Sequence, residues 1–511
     1  MVNGATSPLK ITFEMTYPAF MSSATFDKSP EQQAAEDKEK GLRTHDIPTP
    51  EALTEFMKKG WAESPLTGIT PSRAITFCKV RRDNLSKKFV GVRLVFPSGS
   101  LKVRSNDSDY RFRAHSAYSW LTGITASDAV PDSVLVMEPN GSGHDALLFI
   151  HPRSPRNTDE FYRNSKHGEF WVGRRMTLEE TQTMYGIKVA QIESIAEFLG
   201  DKTETLVVRE QDANIDKLVL ANAREEEFLN VLSMSRMVKD QYEIDEMQKA
   251  IDATARGFSD MVRVFPAATA TPRGERVIEG AFFGRARLEG NDIGYDSIVA
   301  AGSHACVLHW IKNDGDVKPG QMILIDAGVE VESHYTADIT RTLPVTGKFT
   351  AAQKQIYMIV YRAQQAGIAA VKPGAKFKDF HAACMEEIAK GAAELGVLPM
   401  SPEESLKPEN GLHRRWMFHG SGHHLGIDVH DCAQARKDQY ADAILEPGMI
   451  LTVEPGFYIQ PDDELFPPEF RGVGVRIEDD VVVTETGCRV MSSGLPRHPD
   501  EIEAWMAKLL N

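Results

Sequence analysis

The sequence has few cysteines, no long apolar run and no excess of positive charge. Five cysteines in 511 residues, none in a Cys-x-x-Cys spacing, exclude a disulfide-stapled scaffold and are typical of a reducing compartment. No stretch approaches the ~18 consecutive apolar residues that a membrane-spanning helix needs. Lys and Arg number 58 against 73 Asp and Glu, so the net charge is −15. This charge disfavours binding to nucleic acid or to an anionic membrane.

The N-terminus also lacks a recognisable targeting signal. Its first residues do not show the compact basic-then-apolar pattern of a secretory signal, and we therefore expect a cytoplasmic protein. The following stretch is polar and charged, so residues 1–43 are predicted to form a mobile tail. Apolar residues make up 42% of the chain and charged residues 26%, which is the balance of a globular protein. The length of 511 residues suggests roughly two to four domains.

Two regions with different patterns follow the predicted tail. Residues 44–235 mix apolar runs typical of strands, near 90–99, 133–139 and 145–152, with helical stretches, and predict an α/β domain. A loop and a helix are predicted over 181–200. From Ile244 onward, apolar residues recur three or four positions apart, which indicates a long amphipathic helix and a second domain over 236–511.

The second region repeats itself. The segment PGQMILIDAG, which contains Asp326, matches PGMILTVEPG, which contains Glu454, without a gap. Each is followed by a second predicted strand with another carboxylate, Asp338 in the first copy and Glu478 in the second. Two helical stretches precede each copy, 243–264 and 273–289 before the first, 351–371 and 377–395 before the second. The pattern predicts a duplicated α+β unit whose pseudo-twofold symmetry places four carboxylates on facing hairpins.

These carboxylates adjoin apolar runs of the kind that form buried strands. A buried ionised carboxylate is costly unless it is paired or bound to a cation, and four together need strong compensation. Only Arg341 and Arg476 lie close by in sequence. A single such carboxylate is as readily explained by a turn or an arginine pair. All four in a repeated frame favour a site for hard or borderline divalent cations such as Mn²⁺.

Histidines cluster between the two hairpin segments. Four of the chain's 15 histidines fall within twelve residues, interleaved with glycines that allow close backbone approach: His419, His423, His424 and His430. His309 lies 17 residues ahead of Asp326. A lone histidine is more often a core residue than a ligand, but this cluster predicts a shared cleft with the carboxylates.

With these features in view, the second region resembles the metallopeptidases of the pita-bread fold, which include methionine aminopeptidase, prolidase and aminopeptidase P. The matching stretches are GYDSIVAAGSHACVLHW, LIDAGVEVESHYTADITRT, FHGSGHHLGIDVHD, LTVEPGFYI and GVRIEDDVVVT. In the first region, RSNDSDYRFRAHSAYSWLTGITASDAV and VGRRMTLEETQTMYGI resemble the N-domain of aminopeptidase P. The resemblance implies an α+β pita-bread domain preceded by a creatinase-like α/β domain.

The resemblance also implies a site with two divalent metal ions. Asp326 would chelate one metal, His423 and Glu454 would bind the other, and Asp338 and Glu478 would bridge both. A hydroxide held between the metals would attack the substrate carbonyl, and Glu454 would handle its proton. The ions are expected to be Mn²⁺, although Co²⁺, Zn²⁺ and Fe²⁺ accept the same ligands.

Further residues of the cleft follow from the same resemblance. His309 and His430 match the substrate-facing histidines of the family, one for the carbonyl or oxyanion and the other for proton movement. His419 and Tyr458 match further substrate-binding positions. Arg476 matches a basic residue that steadies the site or meets a substrate carboxylate.

The implied reaction is removal of the N-terminal residue from peptides whose second residue is proline. The N-domain would limit access to the cleft and build dimers or tetramers. Prolidase, which cuts Xaa-Pro dipeptides, shares every ligand and remains an alternative. A metal-free binding module, or a metal-free amidinohydrolase such as creatinase, is a further alternative, but both predict missing ligands, and all five are filled here.

Overall fold

The computed structural model describes residues 49–510, so the predicted tail over 1–43 lies outside the described residues. The chain divides into two compact units. The smaller unit is Met1–Ala62 with Arg156–Asp159, and the larger is Glu63–Pro155 with Glu160–Asn511. In the smaller unit one short helix is described, and the indole of Trp61 donates to the carbonyl of Met57 at its end. Between residues 49 and 510, no helix has both the length and the apolar character needed to cross a membrane.

The helices of the described chain are α1 Glu51–Met57, α2 Ala74–Ser86, α3 Ser116–Thr122, α4 Glu160–Arg163, α5 Glu169–Val172, α6 Leu178–Tyr185, α7 Ile195–Phe198, α8 Ala213–Leu218, α9 Glu225–Ser235, α10 Gln241–Arg263, α11 Phe265–Ala270, α12 Gly274–Glu289, α13 Ala351–Ala370, α14 Phe377–Glu394, α15 Pro402–Ser405, α16 Lys437–Tyr440 and α17 Pro499–Leu510. The strands are β1 Arg93–Pro97, β2 Val103–Ser105, β3 Ser108–Asp109, β4 Val134–Pro139, β5 His144–Ile150, β6 Lys188–Gln191, β7 Thr205–Val207, β8 Asp292–Ile293, β9 Ile298–Ala301, β10 Met322–Ala327, β11 Val329–Glu330, β12 Ile339–Pro344, β13 Ile450–Val453, β14 Gly456–Tyr458, β15 Gly474–Arg476, β16 Asp479–Val483 and β17 Cys488–Val490.

The first region is built on a mixed five-stranded sheet in the order β6-β5-β4-β1-β7. Its interior strand β1 is buried on both faces, because Leu94 and Phe96 enter one apolar cluster while Val95 enters another. Continuous apolar runs are typical of such strands. The strands predicted near 90–99, 133–139 and 145–152 are therefore confirmed as β1, β4 and β5.

The prediction of a loop and helix over 181–200 is wrong in part. Helix α6 ends at Tyr185, where Gly186 adopts a left-handed conformation with φ of 64°, and the chain then forms strand β6. This strand lies at the edge of the sheet and pairs in parallel with β5. An edge strand of four part-exposed residues carries a weak apolar signal, and the sequence pattern did not show it.

The second region contains the predicted duplication. In each copy, two long helices precede a three-stranded antiparallel sheet: α10 and α12 before β9-β10-β12, and α13 and α14 before β13-β16-β17. Helix α10 begins at a capping box in which Asp240 and Glu243 bond each other's backbone N–H groups. Helix α12 packs closely against it, since a Cβ at Gly257 would lie 2.6 Å from the ring of Phe282.

The two copies also match in how their carboxylate-bearing strand is flanked. Strand β10 pairs with β9 on one side and β12 on the other. Strand β13 pairs with β16, and on its other side the segment around His424 forms an antiparallel bridge to Leu451. The histidine segment thus occupies in the second copy the place that β9 occupies in the first.

Backbone and side-chain hydrogen bonds join the two copies where these strands end. The N–H of Glu478 donates to the carbonyl of Thr340 at 3.1 Å. The hydroxyl of Thr342 donates to the carbonyl of Arg476 at 3.0 Å, and the guanidinium of Arg341 donates to the carbonyl of Glu478 at 2.6 Å. The hairpins of the two halves are therefore held side by side, with their carboxylates at one place.

Candidate metal centre

All four predicted carboxylates lie at strand ends and line one cavity of about 520 Å³. Asp326 is on β10, Asp338 directly precedes β12, Glu454 directly follows β13 and Glu478 directly precedes β16. Asp326, Asp338 and Glu478 are buried, and Glu454 is half-buried. The structure therefore brings together side chains that are separated by up to 152 residues in the chain (478 − 326).

Asp326 is held by two donors. The guanidinium of Arg476 donates to its Oδ2 at 2.5 Å, and the hydroxyl of Tyr295 lies 2.6 Å from its Oδ1. The same Tyr295 hydroxyl lies 2.6 Å from Oδ1 of Asp338. The simple alternative, in which a buried carboxylate pairs with an arginine, thus applies to Asp326, whereas Arg341 pairs with Asp479 instead.

His423 faces two of the carboxylates. Its Nε2 lies 3.3 Å from Oδ2 of Asp338 and 3.9 Å from Oε1 of Glu454, while its Nδ1 lies 3.1 Å from the carbonyl of His424. Burial opposes the charged imidazole, but the hydrogen bond and charge of Asp338, together with the charge of Glu454, raise the pKa of His423 to about 9. A hydrogen bond from Nδ1–H to a carbonyl leaves Nε2 as the ligating nitrogen, as in many metal sites.

The carboxylates are electrostatically crowded in the absence of a cation. Burial raises the pKa of Asp338, and the charge of Asp326 raises it further. Burial raises the pKa of Glu454 to about 7, against the opposing charges of His423 and Arg476. Burial and then Asp338 raise the pKa of Glu478 well above its ordinary value. Binding of a cation would displace the proton from each of these groups into solvent.

This donor set fits divalent metal ions. Asp338, His423 and Glu478 present ligand atoms that lie within 4.8 Å of one another. Asp326 and Glu454 border the same cavity, which gives four carboxylates and one imidazole. Oxygen-rich sites with one imidazole suit hard or borderline divalent cations.

The predicted substrate-facing histidines also meet at this cavity. His309, His419 and His430 line it, and the rings of His423 and His430 pack edge to face with their centroids 4.5 Å apart. Burial lowers the pKa of His430, and His423 adds to that effect. Burial and then the charge of Arg476 lower the pKa of His419 to about 4, so this ring is neutral near pH 7.

Tyr458 is not among the residues that line the cavity, but it forms hydrogen bonds with two residues that do. Its hydroxyl lies 2.8 Å from Nε2 of His419 and accepts from the guanidinium of Arg476 at 3.1 Å. The same guanidinium also donates to Oγ1 of Thr340 at 3.2 Å, and this hydroxyl donates to Oε2 of Glu478 at 2.7 Å. A chain of hydrogen bonds therefore runs from His419 to the carboxylate of Glu478.

Sequence reasoning missed several residues of the cleft. Tyr295 and Thr340 contact the carboxylates directly, although each lies inside a stretch that carried the family resemblance. The cavity also has an apolar wall, formed by Ile298, Leu308, Ile311 and Val429. Tyrosine, threonine and scattered aliphatic residues are common in any strand, so only the family stretches could have pointed to them.

A second group of side chains with ligand chemistry lies in the first region. Asp132, His151 and His167 approach one another, and the rings of the two histidines stack with centroids 4.2 Å apart. Here the ammonium of Lys166 already pairs with the carboxylate of Asp132, and the hydroxyl of Ser100 donates to its other oxygen. A cation would have to displace this lysine, and we therefore assign the group a structural role.

Comparison with known proteins finds two family models that match this chain. Residues 245–485 match the model of metallopeptidase family M24, and residues 78–208 match that of the aminopeptidase P N-terminal domain. Xaa-Pro aminopeptidase 1 of Streptomyces coelicolor is 51% identical over 461 residues, which cover 89% of this chain and 92% of the relative. The Xaa-Pro aminopeptidase of Escherichia coli is 31% identical over 427 residues, covering 79% of this chain and 91% of that protein.

Solved structures agree with this result. Aminopeptidase P from E. coli in its low-pH form superposes with a TM-score of 0.75 at 29% identity, covering 86% of this chain and 99% of that one. The predicted α+β fold, with a pita-bread domain after a creatinase-like α/β domain, is confirmed. A zinc-substituted form of the same enzyme, in complex with product, superposes with a TM-score of 0.74 at 30% identity. The chain belongs to the Xaa-Pro aminopeptidase family, within metallopeptidase family M24.

Proposed function

We propose that this protein is a metal-dependent aminopeptidase that hydrolyses the bond between an N-terminal residue and a following proline. The observation that carries the proposal is the single cavity in which four carboxylates and His423 converge, in a chain 51% identical to an Xaa-Pro aminopeptidase. Peptides with proline in the second position are the proposed substrates.

We propose that Asp326 holds one divalent ion, that His423 and Glu454 hold a second, and that Asp338 and Glu478 contribute to both. Mn²⁺ is our preferred ion because oxygen ligands dominate the set, and Co²⁺, Zn²⁺ or Fe²⁺ would accept the same ligands. When bound, the ions supply Lewis acidity and lower the pKa of water, so that it attacks a carbonyl at neutral pH.

The chain's own residues would orient the substrate and move protons. Glu454 is proposed to take the proton of the attacking water, since its carboxylate borders the cavity and lies 3.8 Å from Nδ1 of His419. His309 and His430 are exposed at the cavity, where we propose that one contacts the substrate carbonyl and the other the leaving amine. His419 and Tyr458 would contact the bound peptide as a hydrogen-bonded pair.

The family resemblance implies two alternative roles for Arg476, which are to steady the site or to meet a substrate carboxylate. The contacts of Arg476 favour the first role. Its guanidinium donates to Asp326, Tyr458 and Thr340, so its hydrogen-bonding capacity is largely used within the protein. We therefore propose that Arg476 steadies the centre rather than meeting a substrate carboxylate. The apolar wall described above gives the proline ring a surface from which water is excluded.

Two wider proposals accompany the catalytic one. We propose that residues 44–235 form a domain that limits access to the cleft of residues 236–511, and that the protein forms dimers or tetramers. We also propose a cytoplasmic location, because the five cysteines are free thiols, four of them buried.

The test is a competition assay with metal-stripped protein reloaded with Mn²⁺. An Xaa-Pro dipeptide and an Xaa-Pro-Xaa tripeptide are offered together, and the products are identified by mass. Release of the first residue from the tripeptide, leaving intact Pro-Xaa, is the expected result. Cleavage of the dipeptide alone would make the protein a prolidase. Cleavage of neither peptide by protein with bound metal would overturn the substrate class, and an Asp338→Asn preparation controls for contaminating peptidases.

A further inference from the structure

His309 lies in the loop that connects β9 to β10, and this loop has little regular structure. A short 3₁₀ turn over Gly302–Cys306 is followed by irregular chain as far as β10. His309 itself is exposed where the loop borders the cavity. Loops of this length are mobile unless side chains tie them to a rigid element, so the position of His309 depends on what anchors the loop.

One anchor of this loop is Glu275, which lies in the first turn of helix α12 and is fully buried. Its Oε1 accepts from the N–H of Ala301 at 2.8 Å and lies 2.8 Å from Nδ1 of His304. Its Oε2 accepts from the indole N–H of Trp310 at 2.9 Å and from the N–H of Gly315 at 2.7 Å. A carboxylate can only accept hydrogen bonds, about four in number. Here all four contacts come from one segment of the chain, which runs from Ala301 to Gly315.

The residues around this carboxylate are tightly packed. The rings of His304 and Trp310 stack with centroids 3.8 Å apart. A Cβ at Gly315 would lie 2.5 Å from Cε1 of His304 and 2.8 Å from Oε1 of Glu275, so this position has room only for glycine. The loop is thus closed around the carboxylate rather than merely touching it.

The four partners flank His309 on both sides, two before it and two after it. Leu308 and Ile311, which belong to the apolar wall of the cavity, lie in the same short stretch. We propose that Glu275 is a positioning residue for the reaction, which fixes where His309 and this part of the wall meet the substrate. The proposal rests on the role of His309 under the proposed function, since Glu275 itself is not among the residues that line the cavity.

The decisive experiment is a double-mutant cycle between Glu275→Gln and His309→Ala in the metal-loaded enzyme. Glutamine keeps the size of the side chain, but its NH₂ group would face two N–H donors. Glu275→Gln is expected to lower kcat by about 10- to 100-fold, the scale of effect for a displaced catalytic group, with metal content and KM little changed. The double variant should be as slow as His309→Ala alone to within about twofold, because one effect acts through the other.

Two further variants accompany this experiment, one as an independent test of the same contact and one as a control. Trp310→Phe keeps the ring stack but removes one donor, and should show a smaller loss of kcat that also disappears in the His309→Ala background. Glu279→Gln is the matched control, one turn further along α12. Glu279 accepts a single N–H, from Asn313 at 2.8 Å, and a glutamine oxygen can still accept it. This control should retain full activity.

A second readout does not depend on activity or metal. Hydrogen exchange should accelerate in Glu275→Gln at Ala301 or at Gly315, whichever amide the new NH₂ group faces, because these two amides bond different oxygens of Glu275. Both amides should stay slow in Glu279→Gln, which keeps both acceptor oxygens of Glu275. Unchanged exchange, or losses of kcat that multiply in the double variant, would overturn the positioning role. Full activity of His309→Ala would instead remove the role of His309 itself, and the positioning proposal with it.

Discussion

The hydroxyl of Tyr295 lies 2.6 Å from Oδ1 of Asp338, a buried carboxyl whose pKa is raised by its surroundings. The same hydroxyl is equally close to Asp326. A phenol has one proton, so it can donate to only one of these two carboxyls at a time, and the raised pKa of Asp338 favours a proton on that carboxyl when no cation is bound. A bound cation would displace that proton, and Tyr295 would then orient one carboxylate for it.

Removing this hydroxyl should weaken the metal site without unfolding the protein. We expect Tyr295→Phe to lower the affinity for Mn²⁺ by about 10- to 100-fold, which is typical for loss of a group that orients a ligand. Titration of metal-stripped protein followed by calorimetry measures it. Tyr357→Phe is the control, since this buried tyrosine donates to the carbonyl of Arg497, away from the centre. Equal affinities for Tyr295→Phe and wild type would refute the orienting role.

Neutralising either proposed shared ligand should abolish activity. Asp338→Asn and Glu478→Gln each remove a charge that both ions would need, and we expect loss of peptide cleavage together with loss of bound metal. The folded state should survive, because burial raises the pKa of both carboxyls, so their charges contribute little to the stability of the metal-free fold. Activity and metal content are measured on the same samples, with the exposed Asp442→Asn as control. Near-normal activity with full metal occupancy would contradict the assignment of these ligands.

His430 should matter for turnover more than for metal content. His430→Ala removes a ring at the cavity that packs against His423 but carries no proposed ligand nitrogen. We expect kcat to fall by about 10²- to 10⁴-fold, the usual contribution of a group that moves a proton. Metal analysis of the purified variant checks the distinction, since depleted metal would instead place His430 among the ligands.

One buried histidine away from the centre should make stability depend on pH. His334 accepts the N–H of Ala126 on Nε2 at 3.0 Å, and burial lowers its pKa from 6.5 to about 3. A histidine whose folded-state pKa is depressed stabilises the fold fully above pH 6.5 and loses that contribution as the pH falls toward 3. Between pH 7 and pH 5 the loss is about 2 kcal/mol of unfolding free energy.

This contribution is measured by urea unfolding of metal-free protein at the two pH values. His334→Asn should shrink the difference between pH 7 and pH 5 by that amount, and asparagine tolerates the local φ of 68°. His498→Asn, at a partly exposed ring, serves as the control. An unchanged pH dependence in His334→Asn would show that another group carries the effect.

Regular elements and chemically unusual residues were predictable from the sequence. The helical stretch predicted over 243–264 led to α10 within two residues at its start, and the matched Pro-Gly segments led to β10 and β13. Buried carboxylates stand out because apolar strands exclude them, and so Asp326 and Glu454 could be identified.

Residues that act through geometry were not predictable. The distance between Tyr295 and Asp338 depends on how two segments 43 residues apart (338 − 295) come together, and no local pattern encodes it. Glu275 is one of several glutamates on amphipathic helices, and only its burial and four partners distinguish it. Strand β6 was missed because an edge strand owes its existence to its neighbour rather than to its own apolar residues.

The duplicated construction has a consequence for how the centre comes into being. One copy of the repeat supplies Asp326 and Asp338, the other supplies Glu454 and Glu478, and the contact between Thr340 and Glu478 closes the gap between them. Neither half can assemble the centre alone. An ancestor with a single unit would have had to pair with its own copy to bring four carboxylates together. Metal retention therefore reports that both halves have folded and docked, and two separately produced halves would regain metal only by complementing each other.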